Sequence, residues 1–239
     1  MKTLTDFYTN GEYLANNPTW DSEDAPWKTK HLMSLFRKHL KEEEILSVAE
    51  VGCGSGAILI ELSKNFDEKV VFAGYDISED ALSMARTLAE KNNKKNFSYE
   101  LSSFPTKNTD LIICADVFEH VENPFEFLRE ILPWGKYFLF NIPLDLSVQS
   151  LLREDVMLAQ RKRVGHINYY TKNLALETLT DCGYEIIGNS YGKWYKEYPA
   201  PSFVTSCINR IRNIWMKYSP DSCVKILGGS SLTVLAKKK

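Results

Sequence analysis

Cysteine is sparse in this chain, and what there is lies scattered. Cys53, Cys114, Cys182, Cys207 and Cys223 contain no C-x-x-C pair. That spacing argues against a metal site built on cysteine or a disulfide framework, so no metal is expected, and it favours a reducing compartment. Long apolar runs are missing too. No stretch approaches the length of a membrane span, and "MKTLTDFYTNGEY" has no apolar core of a secretory leader, so a cytoplasmic location without a membrane span is expected. There is no basic surplus: the net charge is −2, which gives no electrostatic argument for nucleic acid. The terminal Lys237-Lys238-Lys239 reads as a solvated tail. With 44% hydrophobic and 25% charged residues over 239 positions, the chain can bury a full core as one domain with insertions.

Glycine is also scarce, at 12 residues, yet three crowd into "AEVGCGSGAILIEL" at 49–62: Gly52, Gly54 and Gly56. The surrounding pattern explains why they matter. Apolar runs alternate with helical patterns from residue 27 to about 190, which predicts α/β architecture with a parallel sheet. Strands are predicted over 45–51, 69–76, 97–101, 110–118, 136–142 and from residue 184, with a last one in "SLTVLAKK". Helix starts are marked by Ser78, by Asn123 followed by Pro124, and by Thr171. Residues 1–44 read as an N-terminal helical segment or lid, and 45–239 as the core. Insertions at about 143–170, with the helical "SVQSLLREDVMLAQRKR", and at 192–228 break the alternation.

The glycines thus sit between a strand and a helix, where backbone can approach a nucleotide closely. Two patterns fit: G-x-G-x-x-A of dinucleotide binders, and E-x-G-x-G-x-G beginning at Glu50. A carboxylate at the end of an apolar strand is costly unless it meets a cation or donors, and a pyrophosphate would repel it. The α-ammonium of S-adenosylmethionine is the kind of partner that makes Glu50 tolerable. Asp76, at the end of the second strand, is placed to accept ribose hydroxyls under either pattern.

"DLIICADVFEHVENP" then discriminates. This fourth strand running into Glu119-His120 and an "NP" turn resembles the class I S-adenosylmethionine-dependent methyltransferases, in particular their small-molecule group. "GKYFLFNIP" and "GHINYYTKNLALETLTDCGYEI" resemble the group's fifth strand and late signature. The resemblance covers roughly residues 45–190 and 229–236. It implies a Rossmann-like sheet of seven mostly parallel strands with helices on both faces. The last strand would be antiparallel, inserted between the fifth and sixth. It also implies S-adenosylmethionine as cofactor, S-adenosylhomocysteine as product, and a site including Glu50, Gly52, Cys53, Gly54, Gly56, Asp76 and Ile77. Family members often carry an acid after the third strand for the adenine; here Leu101-Ser102-Ser103-Phe104 leaves Ser102 or Ser103 for that hydrogen bond and Phe104 for the ring.

Methyl transfer needs collinear positioning of the acceptor, and an alcohol also needs a base. His166 and His120 are the candidate bases, with Asp116 able to orient the acceptor or a histidine. His31 and His39, on the first helix, read as surface or packing residues. Tyr8, Tyr13, Trp20 and Trp27 are candidates for an aromatic lid, Tyr169 and Tyr170 for walls of an acceptor pocket, and Trp194, Tyr195 and Tyr198 for a second cover. The expected activity is transfer to a small molecule, with a hydroxyl of a saccharide or secondary metabolite favoured. Rivals are a nucleic-acid methyltransferase, for which the N/D-P-P-Y/F motif is missing after strand four, a cofactor-binding protein without transfer activity, and a dinucleotide oxidoreductase. Acceptor and oligomeric state are not legible.

Overall fold

The computed structural model describes residues 4–40, 44–197, 199–200 and 202–239. Seven strands form one sheet: β1 (Ser47–Val51), β2 (Val71–Asp76), β3 (Phe97–Leu101), β4 (Thr109–Ala115), β5 (Gly135–Pro143), β6 (Tyr184–Gly192) and β7 (Ser231–Lys238). Their order is β3-β2-β1-β4-β5-β7-β6. β1 to β5 pair in parallel, while β7 lies antiparallel between β5 and β6. This is the Rossmann-like sheet with a reversed last strand that the sequence implies.

Eleven helices accompany it among the described residues: α1 (Leu4–Thr9), α2 (Glu12–Asn16), α3 (Ala25–His39), α4 (Ala57–Ser63), α5 (Glu79–Lys91), α6 (Pro124–Ile131), α7 (Val148–Leu151), α8 (Glu154–Val164), α9 (Lys172–Asp181), α10 (Phe203–Tyr218) and α11 (Pro220–Leu227). The three sequence-marked caps form: Ser78 Oγ accepts the Ala81 amide, Asn123 Oδ1 that of Glu126, and Thr171 Oγ1 that of Leu174.

Strand alternation divides the core in two. Ile112, Cys114, Phe138, Phe140 and Val234 face one cluster, which includes Leu128 of α6 and Leu179 of α9. Their neighbours Leu111, Ile113, Tyr137, Leu139 and Leu235 face the other, with Leu32 and Phe36 of α3 and Leu59 of α4. Burial on both faces is why these strands read as continuous apolar runs instead of alternating ones. Ligands of such open sheets bind beyond the carboxyl ends of the strands, and β1, β2 and β4 deliver the candidate residues there.

Two local expectations are corrected. Strand four stops at Ala115, short of residue 118, because Asp116 turns into the left-handed region with φ 56°. The helical stretch of the first insertion is two helices, broken where Arg153 leaves helical geometry at φ −132° and ψ 52°.

Candidate active site

The glycine loop leaves β1 with Gly52, Gly54 and Gly56 at φ 69°, 52° and 71°. Side chains rarely tolerate that conformation, and here there is no space for one either. A Cβ on Gly52 would lie 2.5 Å from Val117 Cγ2, and one on Gly54 2.5 Å from Trp20 Cδ1. Gly56 instead packs against Ala85 and Tyr99. It borders neither of the cavities described below, and its missing side chain lets α4 sit close to its neighbours. The loop is tied to β2 by Asp76, whose Oδ2 accepts the Gly54 amide at 2.8 Å while Oδ1 accepts the Ser78 amide at 2.9 Å. Burial raises the Asp76 carboxyl, and these amides work against that rise.

Two cavities meet at the loop. One, of about 390 Å³, is bordered by Asp76, Ile77, Ser102, Ser103 and Phe104. The other, of about 260 Å³, is bordered by Lys28, Glu50, Cys53, Gly54 and His166. They share Tyr13, Trp20, Gly52, Asp116 and His120. Ser102 is less available than its position suggests. Its hydroxyl donates to Phe104 O at 2.8 Å and accepts the Phe104 amide at 3.1 Å, closing its own turn.

Glu50 is buried at 1% exposure, and its Oε2 has no hydrogen-bond partner. Burial pushes its carboxyl well above the usual range. An orphaned buried acid beside a glycine loop is the chemistry an ammonium-bearing ligand would satisfy, and so these residues fit S-adenosylmethionine. The nearest cation of note is one that sequence reasoning passed over. Lys28 of α3 is buried, with Nζ 2.6 Å from Asp116 Oδ2 and 3.2 Å from Asp24 Oδ2. Burial opposes its charge, yet Asp116 and Asp24 hold its ammonium above the usual lysine value. Asn141 Nδ2 donates to the other Asp116 oxygen at 2.6 Å. A signal for Lys28 existed: it lies four residues before Leu32, in register with the apolar face of α3.

The two candidate bases are neighbours, with ring centroids 4.7 Å apart in an edge-to-face arrangement. They are not equivalent. His166 Nδ1 lies 2.6 Å from Asp145 Oδ2, an acceptor that fixes the tautomer and leaves Nε2 with its lone pair. Asp145 escaped the sequence reading because it comes from the far end of β5. His120 Nδ1 lies 2.8 Å from the Tyr8 hydroxyl, which itself donates to Val164 O at 2.8 Å. Burial and then the adjacent His166 push His120 down to about 3, too low for an effective base near neutrality. Beside them is Glu119, fully buried, with neither oxygen hydrogen-bonded, Oε1 3.8 Å from His120 Nε2, and its carboxyl raised by burial and by Asp116. Glu119, His120 and His166 place one ligand atom each within 4.8 Å of one another, a set able to hold a divalent cation.

Aromatics of the N-terminal segment close over this region. Tyr8, Tyr13 and Trp20 border the larger cavity; the Trp20 and Tyr13 rings meet at a tilt of 56° with centroids 4.7 Å apart, and Tyr13 donates to Asp21 at 2.7 Å. Trp27 borders neither cavity and meets His31 edge-to-face at 6.0 Å on α3. The tyrosine pair lies nearby. Tyr170 is buried in the core against Phe118, and Tyr169 donates to His166 O at 3.0 Å, steadying that backbone. Tyr195 is buried and donates to Asn213 within the second insertion. Tyr198 and the Trp194 side chain lie outside the described residues.

Comparison with known proteins agrees with this geometry. Residues 25–188 match the methyltransferase-domain family. A relative, the mitochondrial ubiquinone biosynthesis O-methyltransferase of Saccharomyces cerevisiae, is 27% identical over 155 residues, covering 59% of this chain and 49% of the relative. The chain thus spans about half the length of that relative. The plantazolicin methyltransferase BpumL, solved with S-adenosylhomocysteine, superposes with a TM-score of 0.62 at 18% identity, covering 99% of this chain and 94% of its own. The [4+2]-cyclase SpnF superposes with 0.59 at 16% identity, covering 87% and 80%, so the fold alone does not specify methyl transfer. With the family match spanning most of the chain, and the glycine loop, acidic strand ends and reversed β7 in place, this chain belongs to the methyltransferase-domain family of class I S-adenosylmethionine-dependent enzymes.

Proposed function

We propose that the chain transfers a methyl group from S-adenosylmethionine to a hydroxyl of a small-molecule acceptor, with His166 as the base. The observation that carries this reading is the His166–Asp145 pair opening on the same cavity as Glu50 and the glycine loop. The name of the yeast relative, an O-methyltransferase of ubiquinone biosynthesis, supports oxygen as the acceptor atom and a small ring-bearing acceptor.

When bound, S-adenosylmethionine supplies a methyl group on a sulfonium, which departs as a neutral thioether. Every other task falls to the protein. Glu50 would receive the α-ammonium, Lys28 and Arg163 would provide positive charge for the α-carboxylate, and Asp76 would accept ribose hydroxyls. Ile77 and Phe104 would pack against the adenine, with Ser103 the freer of the two serines. His166 Nε2 would take the proton of the acceptor hydroxyl, and Asp145 would stabilise the resulting imidazolium. Tyr8, Tyr13 and Trp20 exclude water.

A second reading rests on Glu119. Two carboxylate oxygens without hydrogen bonds beside two histidines form a donor set for a divalent cation, which would hold the acceptor hydroxyl and lower its pKa in place of a histidine base. Each histidine already has its outer nitrogen oriented by a partner, Tyr8 or Asp145, as metal-bound imidazoles do. Methyl-labelled S-adenosylmethionine, offered with phenolic, saccharide and nucleic-acid acceptors before and after chelation, separates the readings. Label on a small molecule that survives chelation supports His166 as base, and loss restored by added metal supports the cation. Label in nucleic acid, or cofactor binding without any transfer, overturns the proposal. Five cysteines, none disulfide-bonded, support a reducing compartment such as the cytoplasm.

A further inference from the structure

The second insertion leaves a helix face bare. α10 reads "FVTSCINRIRNIWMKY" over 16 residues. One side is anchored: Arg212 is buried and donates Nη2 to Leu227 O at 2.7 Å, and Met216 is buried beside it. The other side carries Phe203 at 84% exposure, Val204 at 66%, Ile211 at 56%, Ile214 at 62% and Tyr218 at 84%. At about 100° per residue, these five fall in one arc about 100° wide. Aromatic residues stand at both ends of the stripe. Five exposed large apolar side chains gathered on one helix face mark a contact surface.

Its charge says what the surface contacts. α10 contains no acid, and its exposed cations, Arg210 and Lys217, border the stripe along its Phe203–Ile214 edge. This local excess occurs in a chain whose total charge is −2. At about 1.5 Å per residue the helix is too short to cross a bilayer, and no described helix is long and apolar enough to do so. We propose that α10 lies in the plane of an anionic lipid surface, its apolar stripe in the interface and Arg210 and Lys217 against the headgroups. The neighbouring elements extend this face. α11 packs between α10 and α7, and the end of α7 exposes Leu151 and Leu152 at 62% and 82%.

Vesicle flotation of the full chain tests this, using phosphatidylcholine alone and phosphatidylcholine with 30% phosphatidylglycerol (about a third anionic lipid, enough for a strong surface potential). Partition onto the anionic vesicles and little onto the neutral ones is expected. Arg210→Gln/Lys217→Gln should weaken anionic partition about thirty-fold, taking each cation at its usual worth near a charged surface. Ile211→Asp/Ile214→Asp should abolish it. Retained binding of S-adenosylhomocysteine by both variants establishes that they are folded. No partition by the unaltered chain, or equal partition by the aspartate variant, overturns the proposal. So does a concentration-dependent dimer, seen by light scattering and lost in the aspartate variant, without vesicle binding: that result assigns the stripe to a second copy of the chain.

Discussion

Lys28 Nζ lies 2.6 Å from the Asp116 carboxylate, linking the buried face of α3 to the turn that ends β4. Asp116 pays for this position with a left-handed backbone, and Asn141 and Lys28 together hold it there. The pair connects the N-terminal helix to the residues around both histidines. Removing the cation leaves Asp116 and Asp24 facing each other without compensation. Lys28→Met is expected to cost about 3 kcal/mol in chemical denaturation. Lys28→Met/Asp116→Asn should recover much of that loss. A double variant that costs the sum of Lys28→Met and Asp116→Asn measured alone would mean that the pair carries no coupling.

Glu50 gives a pH prediction with a definite sign. Its folded-state carboxyl is raised well above the usual value, so from about pH 4.5 upward the folded chain holds a proton that the unfolded chain has released. The cofactor-free protein therefore loses stability as pH rises through that window. Glu50→Gln removes the cost: it should be more stable than the parent at pH 8, by about 1–3 kcal/mol, with the difference vanishing near pH 4. Its affinity for S-adenosylmethionine should fall nevertheless. Thermal melts across pH and calorimetric titration read the two effects separately.

His166→Ala should lower kcat by about 10²–10⁴ with S-adenosylhomocysteine affinity nearly unchanged. Asp145→Asn should act in the same direction but less, because it disturbs the tautomer without removing the ring. A cation held by Glu119, His120 and His166 predicts something different: Glu119→Gln would then abolish turnover as thoroughly as His166→Ala. Single-turnover rates on the three variants decide.

Gly54→Ala combines a φ of 52° with a Cβ 2.5 Å from the Trp20 indole. Loss of cofactor binding is expected, with backbone strain of about 1–3 kcal/mol. Gly54→Ala/Trp20→Ala relieves the collision but not the strain, so only partial recovery should appear in a binding titration. Full recovery would place the whole effect in the contact with Trp20.

Sequence reasoning reached the loop, Asp76 and the caps because each is a local device whose chemistry is fixed by near neighbours. It also placed Glu50, since an acid at the end of an apolar strand conflicts with its surroundings unless a ligand answers it. It reached both histidines but could not rank them. The difference between them comes from Asp145 and Tyr8, which are 21 and 112 residues distant along the chain. Trp27 and Tyr170 could not be placed for a related reason: an aromatic side chain suits a lid and a core equally well, and only packing separates the two.

The sequence by itself determined the order of strands and helices, the three capped helix starts and the glycine loop, because these follow from periodicity, backbone freedom and short-range hydrogen bonding. Tertiary structure alone decided the pairing of Lys28 with Asp116 and of His166 with Asp145, the isolation of Glu119, and the bare face of α10. Those features depend on which distant segments share a volume too small for water, and burial sets the cost of each charge only after the chain has closed around it.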